Sequence, residues 1–88
     1  MANVKDVKEA LKQYRMLSME SDRAQDLWDE DPYNEELEKA ADDTYRIAYE
    51  ALGKVTSLIM DLIGTDAKTA RTMVLKDRKL DALLARAR

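Results

Sequence analysis

Residues Thr44–Ile63 read TYRIAYEALGKVTSLIMDLI. Thr44, Ala48, Leu52, Val55, Ile59 and Leu62 recur every three or four residues, the spacing that lines side chains along one face of an α-helix. Ile47, Ala51 and Leu58 widen this face on one flank. Tyr45, Tyr49, Thr56 and Ile63 widen it on the other. A single neighbouring helix covers a narrow stripe, so a face this broad needs two neighbours. The stretch therefore predicts the central helix of a bundle. Traced backwards, the stripe takes in Leu37 and Ala41, and the helix runs over about 33–63. Its first half is narrow and Ala-rich, its second half broad. Gly53 lies on the polar side, where it lowers helix propensity by roughly 1 kcal/mol, and the sequence offers no reason for it.

Working outward from this helix, the stretch Asp29–Asn34 (DEDPYN) is a break. Proline lacks an N–H and disfavours a helical residue before it, so Asp31–Pro32 ends whatever precedes it. Either Asp31 or Asn34 can cap the next helix; if Asp31 does, Pro32 takes the first helical position, where it is favoured. The first helix, about 3–30, starts from Asn3 with Asp6 three residues on. Val7, Leu11, Tyr14, Leu17, Ser21, Ala24 and Trp28 form its continuous stripe. A short connection makes the two helices an antiparallel hairpin. Met16 and Met19 lie off the stripe, as surface methionines or as a second contact surface.

On the other side, Gly64 reads as a helix stop, and Thr65 or Asp66 as the cap of a third helix over about 66–86. Ala70, Met73, Leu80, Leu84 and Ala87 share its inner stripe, which Asp77 interrupts. Either Asp77 pairs with a basic neighbour such as Arg78, or the helix bends near Lys76–Lys79. The expected fold is all-α: a helical hairpin with a third helix over its open half, a three-helix bundle in one domain, residues 1–88.

Composition excludes more than it selects. The 88 residues include no Cys and no His. Disulfides, thiolate chemistry and the commonest general base are thereby absent. The start, MANVKDVKEALK, has no apolar core of a signal peptide, and no apolar run approaches the ~20 residues that span a bilayer. A cytoplasmic protein with no membrane partner is expected. Glu35, Glu38 and Asp42, with Asp22 and Asp26, have helical spacing that could converge on a divalent cation. However, the paired E-x-x-E and E-x-x-D motifs of all-α pyrophosphohydrolases are only half present, at Glu35–Glu38. No enzyme, no catalytic residue, no metal and no cofactor is expected.

Charge is the informative signal. The net of −3 divides into −7 over residues 1–65 and +4 over residues 66–88. Asp22, Asp26, Asp29, Glu30, Asp31, Glu35, Glu36, Glu38, Asp42 and Asp43 crowd around the predicted turn, against Arg23 and Lys39. On a hairpin these share about 15 Å of bundle length, close to one net charge per 1.9 Å, against about 1.7 Å in duplex DNA. Such an end could occupy a cationic nucleic-acid groove on another protein, with Trp28 and Tyr33 as candidate aromatic anchors. The opposing end carries Lys68, Arg71, Lys76, Arg78 and Lys79, candidate contacts for phosphates or for an acidic partner. They are spread over several faces, and the third helix lacks the short turn of a helix-turn-helix.

Residues Lys8–Trp28 (KEALKQYRMLSMESDRAQDLW), with the L-x-x-Y-R-x-L pattern at Leu11–Leu17 and a long helix after them, resemble the N-terminal hairpin of small phage-encoded regulators. These are of the late-transcription-activator type. The resemblance covers about half the chain and implies a mobile-element origin with a regulatory or accessory role. Those regulators end in a helix-turn-helix, which this chain lacks. The expected function is a non-enzymatic protein–protein interaction module, a regulator or inhibitor of the anti-CRISPR kind. Its partner would be a basic nucleic-acid-binding protein, and homodimerisation is compatible with the fold. The alternative is a small DNA-associated accessory protein using the basic third helix.

Overall fold

Asn3 opens the first helix as its sequence position suggests. In the computed structural model, which describes residues 3–76 together with Leu80, Ala82 and Leu84, the Asp6 N–H donates to the Asn3 side-chain oxygen at 2.9 Å and the Asn3 N–H to the Asp6 carboxylate at 3.4 Å. This reciprocal pair satisfies two backbone donors that the helix start leaves open. Helix α1 then spans Val4–Glu30. Val7 and Leu11 of its stripe are buried, and Tyr14, Leu17, Ser21, Ala24 and Trp28 are half-buried.

The turn is built by Asp31 and Asn34. The Asp31 N–H closes α1 by donating to the carbonyls of Leu27 and Trp28 at 3.3 and 3.1 Å. The Asn34 side-chain oxygen accepts from the N–H groups of Glu36 and Leu37 at 3.0 and 3.2 Å, which makes Asn34 the cap of α2, Glu35–Ile63. Pro32 therefore stays in the turn and does not open α2, and the helix starts two residues later than its periodicity suggests. The reason is local. Asn34 offers a short side-chain acceptor to two N–H groups at once, while Asp31 is committed to ending α1 and accepts from the Asn34 side-chain NH₂ at 3.2 Å.

Helix α2 is the central element: it packs on α1 and on α3. Ala41, Ala48, Val55 and Ile59 of its stripe are buried, and Val55 and Ile59 are almost fully enclosed. Each such aliphatic side chain contributes about 1.5–3 kcal/mol by leaving water. Thr56, on the broad flank, is also buried, and its hydroxyl donates to the Leu52 carbonyl at 2.7 Å. At the far end Gly64 adopts φ 66°, and its N–H donates to the Met60 carbonyl at 2.9 Å. An L-residue in this left-handed conformation brings its Cβ too close to the following carbonyl oxygen, so glycine is the natural stop.

Asp66 then caps α3, Ala67–Leu75, by accepting from the Thr69 N–H at 2.7 Å. Hydrogen bonds from the Thr69 side chain and N–H hold this carboxyl below its ordinary value. Helix α3 ends at Leu75. Lys76 leaves helical geometry at φ −111° and ψ 80°, with its N–H still donating to the Thr72 carbonyl at 2.9 Å. The continuous helix is thus shorter than the stretch 66–86 read from the sequence; the break falls at the start of Lys76–Lys79, where one of the two readings put a bend, and Leu80, Ala82 and Leu84 are helical again. A helix continued past Leu75 would have set Asp77 on the face of Ala70 and Met73, which are buried. Asp77, Arg78 and Lys79 lie outside the described residues. Leu80 and Leu84 are buried and join the core of Val7, Leu11, Val55, Ile59, Ala70, Met73 and Val74.

The result is an all-α three-helix bundle, a rod of 47 × 20 × 20 Å. The large core residues collect at the open end of the hairpin, where α3 lies. Towards the turn the buried positions are Ala41 and Ala48, and among the described residues no third layer covers the two helices there. No helix among the described residues is long and apolar enough to cross a membrane.

Candidate functional site

The antiparallel hairpin brings the second half of α1 beside the first half of α2, and with them the acidic residues at the turn. Asp22, Asp26, Asp29, Glu30, Asp31, Glu35, Glu36, Glu38 and Asp42 are all exposed; Asp43 is half-buried and pairs with Arg46 at 3.5 Å. Arg23 and Lys39 are the cations interspersed among them. Helical spacing sorts the acids into two stripes. Asp22, Asp26 and Asp29 (i, i+4, i+7) follow one line on α1, and Glu35, Glu38 and Asp42 (i, i+3, i+7) follow one on α2.

Both stripes flank one groove. Asp22 borders it directly, together with Ser18, Ser21, Tyr45, Ala48 and Tyr49. Asp42 precedes Tyr45 by three residues and Tyr49 by seven, which places it on the same face of α2. The charges are therefore arranged as two rims with a less charged floor between them, capped by the turn acids. Some of the turn carboxylates also hold the fold. Asp31 accepts from Asn34, and the Gln25 side-chain NH₂ donates to Asp29 at 3.0 Å. Among the described residues, no three carboxylates come close enough together to hold a metal ion.

The two candidate anchors differ. Trp28 is half-buried, and its indole N–H donates to the Pro32 carbonyl at 3.2 Å. That bond ties the end of α1 to the turn, so Trp28 caps the hairpin core. Tyr33 is 95% exposed at the apex of the turn and free to be covered by a partner. At the other end, Lys68, Arg71 and Lys76 are exposed. Lys68 and Arg71 lie on the outer side of α3, and Lys76 sits at its break. Arg78 and Lys79 are outside the described residues.

Sequence reasoning missed Tyr45 and Tyr49 as surface residues, since it counted them in the flank of the core. Their rings stack 6.3 Å apart at 25°, and both are more than half exposed. The missing signal was the length of α3, which ends before it can cover them. Compared with protein-family models, with curated proteins and with solved structures, the chain gives no match.

Proposed function

We propose that this chain is a non-enzymatic protein-interaction module that presents its acidic turn end to a cationic surface, in particular the nucleic-acid groove of a basic protein. In this reading it acts by occupying that groove, as a regulator or inhibitor encoded by a phage or another mobile element, in the manner of anti-CRISPR proteins. One observation carries the reading. Ten carboxylates and two interspersed cations surround one end of a narrow rod, nearly all of them exposed and few engaged with other side chains.

Carboxylates spaced along two rims repel one another, and that repulsion is relieved when a cationic surface closes over them. Tyr33 at the apex supplies an aromatic contact of the kind enriched at interface centres. The test neutralises Asp29, Glu30, Asp31 and Glu35 together as Asn or Gln. The wild-type chain is expected to retain a host protein that short duplex DNA then displaces, and the neutralised chain to lose it. Equal retention by both chains, with helical content unchanged, contradicts the proposal.

A further inference from the structure

Helix α3 covers only part of the hairpin face on which it lies. It has nine residues against twenty-nine in α2, or about 13 Å against about 43 Å at 1.5 Å per residue. Beyond Leu75 the seam between α1 and α2 is open as a groove of about 260 Å³, with small residues (Ser18, Ser21, Ala48) between Tyr45 and Tyr49 on one side and Asp22 on the other. Small side chains let another helix approach the seam closely. Leu75, Tyr45 and Tyr49 are 59%, 65% and 57% exposed there. The outer face of α3 has a matching character. Ala70, Met73 and Val74 face the core, while Lys68, Arg71, Thr72 and Leu75 are exposed at i, i+3, i+4 and i+7.

We propose that the groove receives the outer face of α3 from a second copy of the chain, in an antiparallel twofold dimer. The register is fixed by spacing. The two Leu75 side chains meet near the dyad, beside Ser18 and Tyr49. Along α3, Arg71 lies four residues and Lys68 seven residues from Leu75, about 6 and 10 Å away. On the receiving hairpin, Asp22 lies four residues beyond Ser18 and Tyr45 four before Tyr49, both about 6 Å towards the turn. Asp26 and Asp42 follow at about 12 and 10 Å. Arg71 therefore comes level with Asp22 of the second copy, and Lys68 with its Asp26 and Asp42.

A parallel arrangement would set cations beside cations. The antiparallel one pairs opposite charges on both sides of a centre where Leu75 meets Leu75, with the exposed Lys76 of each copy beside it, and it closes at two copies because the same patch serves both. A second copy fits better than a foreign helix because α3 itself has the sign, spacing and length that the groove accepts. The dimer shares Asp22, Asp26 and Asp42 with the proposed partner surface, but the turn acids Asp29, Glu30, Asp31 and Glu35 lie beyond the reach of α3, so neutralising those four tests the partner surface without touching the dimer contacts.

Sedimentation equilibrium of the full chain tests this. At low salt and micromolar concentration the wild type is expected to be a dimer that dissociates as salt is raised. Arg71→Glu alone and Asp22→Lys alone are each expected to raise the dissociation constant at least about tenfold, since like charges then oppose at both ends. An equimolar mixture of the two variants restores the dimer, because each variant carries the charge the other now requires. Leu75→Ser, which changes no charge, weakens it as well. All three positions are exposed in the single chain, so circular dichroism should show unchanged helix content. A wild type that is monomeric at low salt overturns the proposal, as does a dimer indifferent to both charge reversals or a mixture no more dimeric than its parts.

Discussion

Asp66 shows how one side chain sets a local boundary and a pH dependence together. Its carboxylate is stabilised by Thr69, so the folded group takes up a proton less readily than the unfolded one. The stabilisation is fully present above the ordinary value of 3.8 and is lost as pH falls through the lower folded value. Asp66→Asn keeps a capping oxygen but removes this charge, and acid titration followed by circular dichroism should show a flatter acid limb. An acid limb identical to wild type would separate Asp66 from acid unfolding. The two glycines give opposite expectations. A Cβ at Gly53 meets nothing within 4 Å, so Gly53→Ala should stabilise by about 0.5–1 kcal/mol in urea denaturation. Gly64 has φ +66°, and Gly64→Ala should destabilise by about 1–2 kcal/mol. The sequence placed Gly64 by its position after the last periodic residue; it gave no purpose for Gly53, and the structure adds none.

At the level of elements, periodicity was a sound guide wherever a face had one neighbour. The α1 stripe from Val7 to Trp28 faces inward along its length, and so does the α2 stripe from Leu37 to Leu62. Periodicity failed where coverage depended on the extent of a third element. Tyr45 and Tyr49 read as a flank of the core, yet they are 65% and 57% exposed while Thr56 on the same flank is 6% exposed; Ile47, on the opposite flank, is 44% exposed. The flank of Tyr45 and Tyr49 is buried only where α3 reaches it, as at Thr56, and the break at Lys76 that ends α3 has no proline or glycine to announce it. The contrast is measurable. Ile59→Ala should cost about 2–5 kcal/mol, the range for emptying a packed core site, whereas Ile47→Ala should stay within about 0.5 kcal/mol of wild type. Comparable losses at the two positions would mean that α2 is covered along its whole length. The turn was half legible in the same sense. Asp31 and Asn34 were equivalent caps on paper, and only the doubled acceptor role of Asn34 separates them. Asn34→Ala should lower stability by about 1 kcal/mol.

Across the whole molecule, folding converts a modest net charge into a polar rod. The N-terminal half of α1 contributes Lys5, Lys8, Lys12 and Arg15 to the same end as Lys68 and Arg71 on α3, where Asp6, Glu9, Asp61 and Asp66 offset them only in part, while ten of the eighteen acids gather around the turn. Linear charge counts showed the acidic cluster but assigned the cations to the C-terminal stretch alone; only the hairpin brings the lysines of α1 alongside them. The arrangement of the acids as two rims around a groove was likewise invisible before α1 and α2 were paired. The turn end, proposed as the surface on which a cationic partner closes, would leave a distinctive signature of its charge. The most direct measurement is the salt dependence of affinity between the captured partner and two chains, the wild type and the one neutral at Asp29, Glu30, Asp31 and Glu35. Wild-type affinity should fall steeply with salt, and the neutralised chain should bind weakly with a shallow slope. Equal affinities and parallel slopes for the two chains would contradict it.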